Sequence, residues 1–325
     1  MKNLETIYLG LTLKNPIIIS SSGLTSSLDK IKKLEDNGAG AVVLKSLFEE
    51  QINYESASLS LSSDYPEAND LIDNYNKEHS IDEYLNLIRK AKESLSIPVM
   101  ASINCTTSVN WIKFTEKIYE AGADALEINV YVLPLNKNAQ AGEYENFYFD
   151  LAGKVRKTYD KPIAFKIGYQ FTNLAALINR LAAAGINGVV LFNRFYEPDI
   201  DIDKLKITSS EIYSNPSDFK RTLRWVAILY DKVQKIDISA STGIHDGEAA
   251  IKALLAGART VQVCSAIYKN GPKHIKNILH DITSWMENKQ FNTIDDFRGK
   301  LSYRSLNDPT LYERTQFMKH FASII

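Results

Sequence analysis

The apolar residues of this chain fall into short unbroken runs separated by longer amphipathic stretches. Four segments share one outline: Asn37-Gly38-Ala39-Gly40-Ala41-Val42-Val43-Leu44, Ala121-Gly122-Ala123-Asp124-Ala125-Leu126-Glu127-Ile128, Ala184-Gly185-Ile186-Asn187-Gly188-Val189-Val190-Leu191 and Ala256-Gly257-Ala258-Arg259-Thr260-Val261-Gln262-Val263. In each, a stretch of helical period runs into a glycine, a tight turn and an apolar run. The glycine suits the position just past a helix end, where the backbone enters the left-handed region. A run so continuous predicts a parallel strand covered on both faces. Ser96-Ile97-Pro98-Val99-Met100-Ala101-Ser102 and Lys161-Pro162-Ile163-Ala164-Phe165-Lys166 read as strands opened by proline, which is tolerated at a first strand position. Lys235-Ile236-Asp237-Ile238-Ser239-Ala240-Ser241 is a strand of the same kind without the proline.

The pattern predicts strands near 16–20, 41–45, 97–102, 124–130, 162–167, 187–192, 235–240 and 259–264. Helices are expected near 28–37, 81–95, 108–121, 146–159, 172–184, 217–232 and 246–256, with another at 272–288. In the second, Ile81, Tyr84, Leu85, Ile88 and Ala91 make one apolar stripe. Alternation of this regularity predicts an α/β fold, a (β/α)8 TIM barrel, rather than an open sheet with fewer strands and a glycine-rich first turn. The whole of 1–325 reads as one barrel domain, with 290–325 as a C-terminal helical tail packed on it through Phe291, Phe297, Tyr312, Phe317 and Phe321. The long connections 46–80 and 193–216 follow strands 2 and 6. They are therefore extended loops at the C-terminal mouth, where such barrels build their sites.

Charge and cysteine usage narrow the partners. Lys plus Arg number 38 and Asp plus Glu 39, a net charge of -1, so nothing electrostatic points to nucleic acid or an anionic membrane. The two cysteines, Cys105 and Cys264, exclude a disulfide scaffold and a thiolate zinc site and fit a reducing, cytoplasmic setting. No signal peptide is legible in Met1 to Lys14, and no run reaches the roughly 20 apolar residues of a membrane span. A soluble enzyme is the expectation.

Chemistry is expected at the mouth-side strand ends. Lysine is almost never fully buried unless paired, yet Lys45 and Lys166 both end apolar strands. Each must meet an acid, with Glu127 as one neighbour, or point its amine at an electron-rich ligand. Ser241-Thr242-Gly243 and Cys264-Ser265-Ala266 follow the last two strands, where barrels often cradle a phosphate on backbone amides. The plainer reading is two turns with a capping hydroxyl. Gly38-Ala39-Gly40 lacks the third glycine and precedes a strand, so it is no dinucleotide fingerprint. The five histidines show no metal-ligand spacing; His245, near the mouth, reads as a capping or surface residue, and Cys105 as a small buried hydrophobe.

A set of motifs then matches a family. It comprises Tyr8-Leu9-Gly10-Leu11, Asn15-Pro16, Ser22-Gly23, Val43-Leu44-Lys45-Ser46-Leu47-Phe48-Glu49-Glu50-Gln51, Ala123 to Asn129, Leu191-Phe192-Asn193-Arg194-Phe195-Tyr196, Thr242-Gly243-Ile244, Cys264-Ser265-Ala266, Gly271-Pro272 and Phe297-Arg298-Gly299. On these the chain resembles the soluble, class 1 dihydroorotate dehydrogenases, and more closely their dihydroorotate dehydrogenase-like bacterial branch. The resemblance implies an FMN-dependent oxidoreductase of pyrimidine biosynthesis. It further implies a small-molecule substrate, a small-molecule electron acceptor such as fumarate or oxygen, and a homodimer. By position, Ser21, Ser22 and Gly23 would touch the flavin from strand 1, and Lys45 and Ser46 would lie beside ring and substrate. Asn104 and Asn129 would face the flavin, and Lys166 would approach the N1/O2 side of the ring. Asn193, with Asn129, would contact substrate; Ser241, Thr242, Gly243, Ser265 and Ala266 would hold the phosphate.

The substrate half departs from the family pattern. Val130-Tyr131-Val132-Leu133-Pro134 stands where the family has Leu-Ser-Cys-Pro-Asn, so Val132 replaces the cysteine base and Pro134 an asparagine that grips substrate. The asparagine-bearing loop after strand 2 is not recognisable in Asn53 to Ser80, and Ser209-Ser210-Glu211-Ile212-Tyr213 replaces a Gly-Gly pair. Tyr131, Glu143 and Tyr144 are the candidate replacement bases. A flavoenzyme acting on another unsaturated ring or enoate, or a phosphate-ligand barrel without redox work, are the alternative readings.

Overall fold

A computed structural model describes residues 2–48, 81–104, 108–130, 132–140, 142–194 and 197–313. Eight parallel strands close a barrel: β3 (Ile17–Ile19), β4 (Ala41–Val43), β6 (Val99–Asn104), β7 (Ala125–Asn129), β8 (Ile163–Ile167), β9 (Gly188–Leu191), β12 (Asp237–Ser241) and β13 (Thr260–Val263). Closure runs through β13–β3, β3–β4 and β4–β6 pairing. Outside lie α1 (Leu28–Asp36), α2 (81–94), α3 (Ser108–Ala121), α4 (Glu143–Arg156), α5 (Leu174–Ala183), α6 (Phe219–Lys232), α7 (Gly247–Ala256) and α9 (His274–Asn288). Strands and helices fall within a few residues of the positions that the hydrophobic pattern predicts.

Several short elements were not expected. The hairpin β1 (Thr6–Tyr8) and β2 (Leu11–Leu13) precedes the barrel, and β5 (Leu47–Phe48) adds a short pairing beside β6. A second hairpin, β10 (Pro198–Asp201) with β11 (Lys206–Ser209), occupies part of the long loop after β9. A short helix, α8 (Ser265–Asn270), was also not expected. All are six residues or fewer, too short for either period to register.

Alternation along the strands sorts side chains between two cores. Outward residues such as Ile17, Val42, Leu126, Phe165 and Val263 pack under the helices. Inward residues Ile18, Ala41, Val43, Met100, Ala125, Ala164 and Val190 fill the lower barrel together with Tyr8, Leu9 and Leu13 of the first hairpin. That hairpin is a plug. Leu9, at the turn with φ 56, lies over Gly188, where a Cβ would stand 2.4 Å from Leu9 Cδ2. The Leu9 N–H donates to Asp237 Oδ2 at 2.8 Å, which fixes the plug to β12. Above this apolar layer the barrel interior turns polar: Ser20, Ser102, Glu127, Lys166, Ser241 and Gln262 are all buried.

The chain beyond α9 folds back on it. Phe291 and Phe297 stack around Trp285, with ring centroids 5.6 and 4.9 Å away. Asn3 pairs with Thr293 across the same surface. Phe317 and Phe321 lie outside the described residues. Among the described residues no helix is long and apolar enough to cross a membrane.

Candidate active site

The floor of the barrel mouth is a buried polar cluster drawn from four strands. Lys166 Nζ donates to Gln262 Oε1 at 3.3 Å and stands 3.9 Å from Glu127 Oε1. Gln262 Nε2 donates to Glu127 Oε2 at 2.5 Å, and Ser20 Oγ to Gln262 Oε1 at 3.0 Å. Glu127 is 1 % exposed, and among the described residues its Oε1 has no hydrogen-bond partner. At 4 Å and an effective dielectric of about 20, the Lys–Glu attraction is on the order of 4 kcal/mol. Burying each ion costs several kcal/mol. Two such costs exceed the attraction, so fold stability is no explanation for keeping the pair. Below it, burial and the charges of Glu127 and Asp237 push the Tyr8 phenol well above its ordinary pKa, which keeps the hydroxyl neutral.

Above the floor a cleft of about 190 Å³ opens between the ends of β8, β9, β12 and β13. Ser20, Ser21, Lys166 and Gln262 form its base; Thr242, Gly243 and Ser265 form one wall. Thr242 and Gly243 both have left-handed backbone, φ 77 and 76. Positive φ is a genuine outlier for a β-branched residue, and the Thr242 hydroxyl secures it by donating to Phe192 O at 2.9 Å. Ser265 and Ala266 begin α8, so their N–H groups have no acceptor inside the helix. Ser214 N–H donates to Ser265 Oγ at 3.0 Å, and Ser214 Oγ lies 3.1 Å from His245 Nε2. Burial and nearby Lys269 lower the His245 pKa, which favours the neutral ring. Burial raises the Cys264 thiol, with Ser22 and Lys166 pulling against it.

A second cleft, about 280 Å³, shares Asn193, Arg194 and Thr242 with the first. Its far side carries Leu133, Tyr169 and Arg221, whose guanidinium lies 4.0 Å from the Tyr169 ring centre. Asn193 Nδ2 donates to Asn129 Oδ1 at 2.5 Å, which joins the ends of β7 and β9.

The structure thus brings Ser21, Lys166, Asn193, Ser241, Thr242, Gly243 and Ser265 to one cleft. Ser46 is buried beside it, hydrogen-bonded to Ser21 Oγ at 3.0 Å and Ser102 Oγ at 2.7 Å. Ser22 accepts from Leu24 N–H at 3.3 Å in a short turn at Gly23. Asn104 is half-buried at the end of β6, and Ala266 is buried behind the cleft wall. Lys45 has no acid partner: its side chain is exposed and makes no ion pair among the described residues. The cause is that β4 ends at Val43, and the Lys45 N–H turns to Thr25 O at 3.4 Å. Glu143 and Tyr144 brace the 136–140 loop instead of entering a cleft, accepting from Gln140 N–H at 3.0 Å and Asn136 N–H at 2.9 Å. Val132 is half-buried against the outer core. Tyr131, Cys105 and the segment Asn53 to Ser80 lie outside the described residues. Gln262 and Ser20 were missed; the polar alternate positions of Thr260-Val261-Gln262-Val263 were the available signal.

A closed (β/α)8 barrel with its polar groups gathered at the C-terminal mouth is an enzyme architecture. The family model described as Dihydroorotate dehydrogenase matches residues 3–286, and the chain belongs to that family. It is similar to the catalytic subunit of dihydroorotate dehydrogenase B (NAD(+)) of Thermoplasma acidophilum, 26% identical over 92% of this chain and 99% of the relative. The same subunit of Pyrococcus horikoshii is 28% identical over 91% of this chain and 97% of its own length. A chloroplastic dihydropyrimidine dehydrogenase (NADP(+)) of Arabidopsis thaliana is 25% identical over 89% of this chain and 75% of the relative. Dihydroorotate dehydrogenases are oxidoreductases acting on CH–CH bonds, and the chain is an enzyme of that kind.

Proposed function

We propose that the chain is an FMN-dependent oxidoreductase acting on a CH–CH bond of a small unsaturated ring or enoate, with a small-molecule electron acceptor. One observation carries the reading: a buried ammonium, the left-handed Thr242-Gly243 turn and Ser265 at the start of α8 line the same cleft. Such a donor set fits a ligand with a phosphate at one end and an electron-rich ring at the other. The amides of Gly243, Ser265 and Ala266 would hold the phosphate, and Lys166 would lie beside the ring. Bound FMN would supply a two-electron hydride acceptor. Lys166 favours negative charge that develops beside it, and Asn193, held by Asn129, orients substrate from the neighbouring cleft.

Protein purified without added cofactor is expected to absorb in the visible and to release FMN on denaturation. A colourless preparation that takes up no FMN on dialysis favours a phosphate-binding barrel without redox work.

Dihydroorotate is expected to be a poor substrate, because Val132 has no proton-accepting group where the resemblance puts the base. Anaerobic bleaching of the flavin measures this directly. Fast bleaching by the unaltered protein would require a base elsewhere in the site.

A further inference from the structure

We propose that Gln262 is a positioning residue: it holds the Lys166 ammonium away from Glu127, and the buried trio thereby sets the reduction potential of the flavin. This inference rests on the FMN reading above.

The orientation of the Gln262 amide follows from its partners. Its oxygen accepts from Lys166 at 3.3 Å and from Ser20 at 3.0 Å, while its nitrogen donates to Glu127 at 2.5 Å. The reverse orientation would face an ammonium with N–H and a carboxylate with a carbonyl. Gln262 therefore stands between cation and anion as a spacer. The direct Lys166–Glu127 separation is 3.9 Å, outside hydrogen-bond range, and Glu127 Oε1 is buried with no partner among the described residues. An unpaired buried acceptor is costly. The ammonium would satisfy it by moving a little over an ångström downward, and the amide oxygen restrains that movement.

Two charges then matter at the floor. Tyr8 beneath and Cys264 at the wall are both shifted toward their neutral forms. Glu127 opposes an anionic ring, and Lys166 favours it. With the spacer in place the cation is the nearer of the two to the cleft, since Lys166 lines it and Glu127 does not.

The two single variants should therefore move the potential in opposite directions. Glu127→Gln removes the opposing charge and keeps the shape. The reduced-to-oxidised ratio at fixed potential should rise about tenfold, a positive shift of about 30 mV for a two-electron couple. Gln262→Leu frees Lys166 to close on Glu127 and should lower the ratio by a similar factor. In the double variant no acid remains to draw the lysine down, and the potential should return above that of the unaltered protein. Gln262→Met serves the same purpose should the leucine variant not fold. The measurement is spectroelectrochemical titration of the bound flavin. Unchanged potentials, or both single variants shifting the same way, overturn the proposal and leave Gln262 a packing residue. An unaltered protein that binds no flavin overturns the FMN reading itself, and this inference with it.

Discussion

Lys166→Ala is expected to slow flavin reduction by about 10²- to 10³-fold, the loss seen when one preorganised donor is removed from a developing negative charge. The side chain is a buried cation of the cleft, and among the described residues no second lysine lines it; Lys45 is exposed. The same change leaves Glu127 buried without its counter-ion, which should destabilise the fold by about 3–5 kcal/mol. The two effects separate. Adding Glu127→Gln removes the stranded charge and should restore most of the thermal stability, while reduction stays slow. Stopped-flow reduction by a chemical reductant and thermal unfolding of the two variants measure both. A single variant that binds and reduces flavin like the unaltered protein would remove Lys166 from the chemistry.

Lys45 and Lys166 share a local signature, a lysine at the end of an apolar strand, and the sequence alone does not separate them. Their fates are decided by where each strand stops. In β8, Ala164 points into the barrel and the strand continues to Ile167, so Lys166 also points inward. In β4, Val43 points inward but the strand ends there, and Lys45 leaves the alternation before its turn inward would come. Strand ends are read least well from one sequence because the last backbone partners lie far away in the chain. The barrel itself was legible because most turns before a strand are punctuated by glycine or proline and the strands are buried on both faces. The plug was not: Leu11-Thr12-Leu13 is too short to show a period, and what makes it a plug is Gly188, distant in sequence. Gln262 was marked only by alternation with Thr260 across Val261 and Val263, a period too short to tell an inward polar face from an interrupted apolar run.

The division of the interior follows from the same alternation. In β3, β7 and β8 the first inward position is small or aliphatic and the next is polar: Ile18 then Ser20, Ala125 then Glu127, Ala164 then Lys166. An apolar lower layer excludes water from beneath the polar one, which strengthens every charge interaction at the floor. The plug therefore serves the site as well as the fold.

Gly243→Ala should be the most damaging single-methyl change at the mouth. A Cβ there would stand 2.3 Å from Phe219 N and 2.8 Å from Phe219 Cα, both backbone atoms at the start of α6. Those atoms cannot rotate away. Thr222 Oγ1, one turn further on, donates to Ser241 O at 2.9 Å and ties α6 to the same turn. Left-handed backbone adds about 1–2 kcal/mol for a residue with a side chain, and overpacking about 1–3 kcal/mol. The expected loss is about 2–5 kcal/mol, with Tm lower by on the order of 10 °C. Because the Gly243 amide moves with its Cα, FMN affinity should fall at least about tenfold, as expected from losing one charge-assisted hydrogen bond. Gly122→Ala is the control: its φ is 95, yet a Cβ there meets nothing within 4 Å. It should show the conformational cost alone and leave FMN affinity unchanged. Equal losses of stability in the two variants would mean that the contact with Phe219 relaxes at no cost, and unchanged FMN affinity in Gly243→Ala would take this turn out of the phosphate cup.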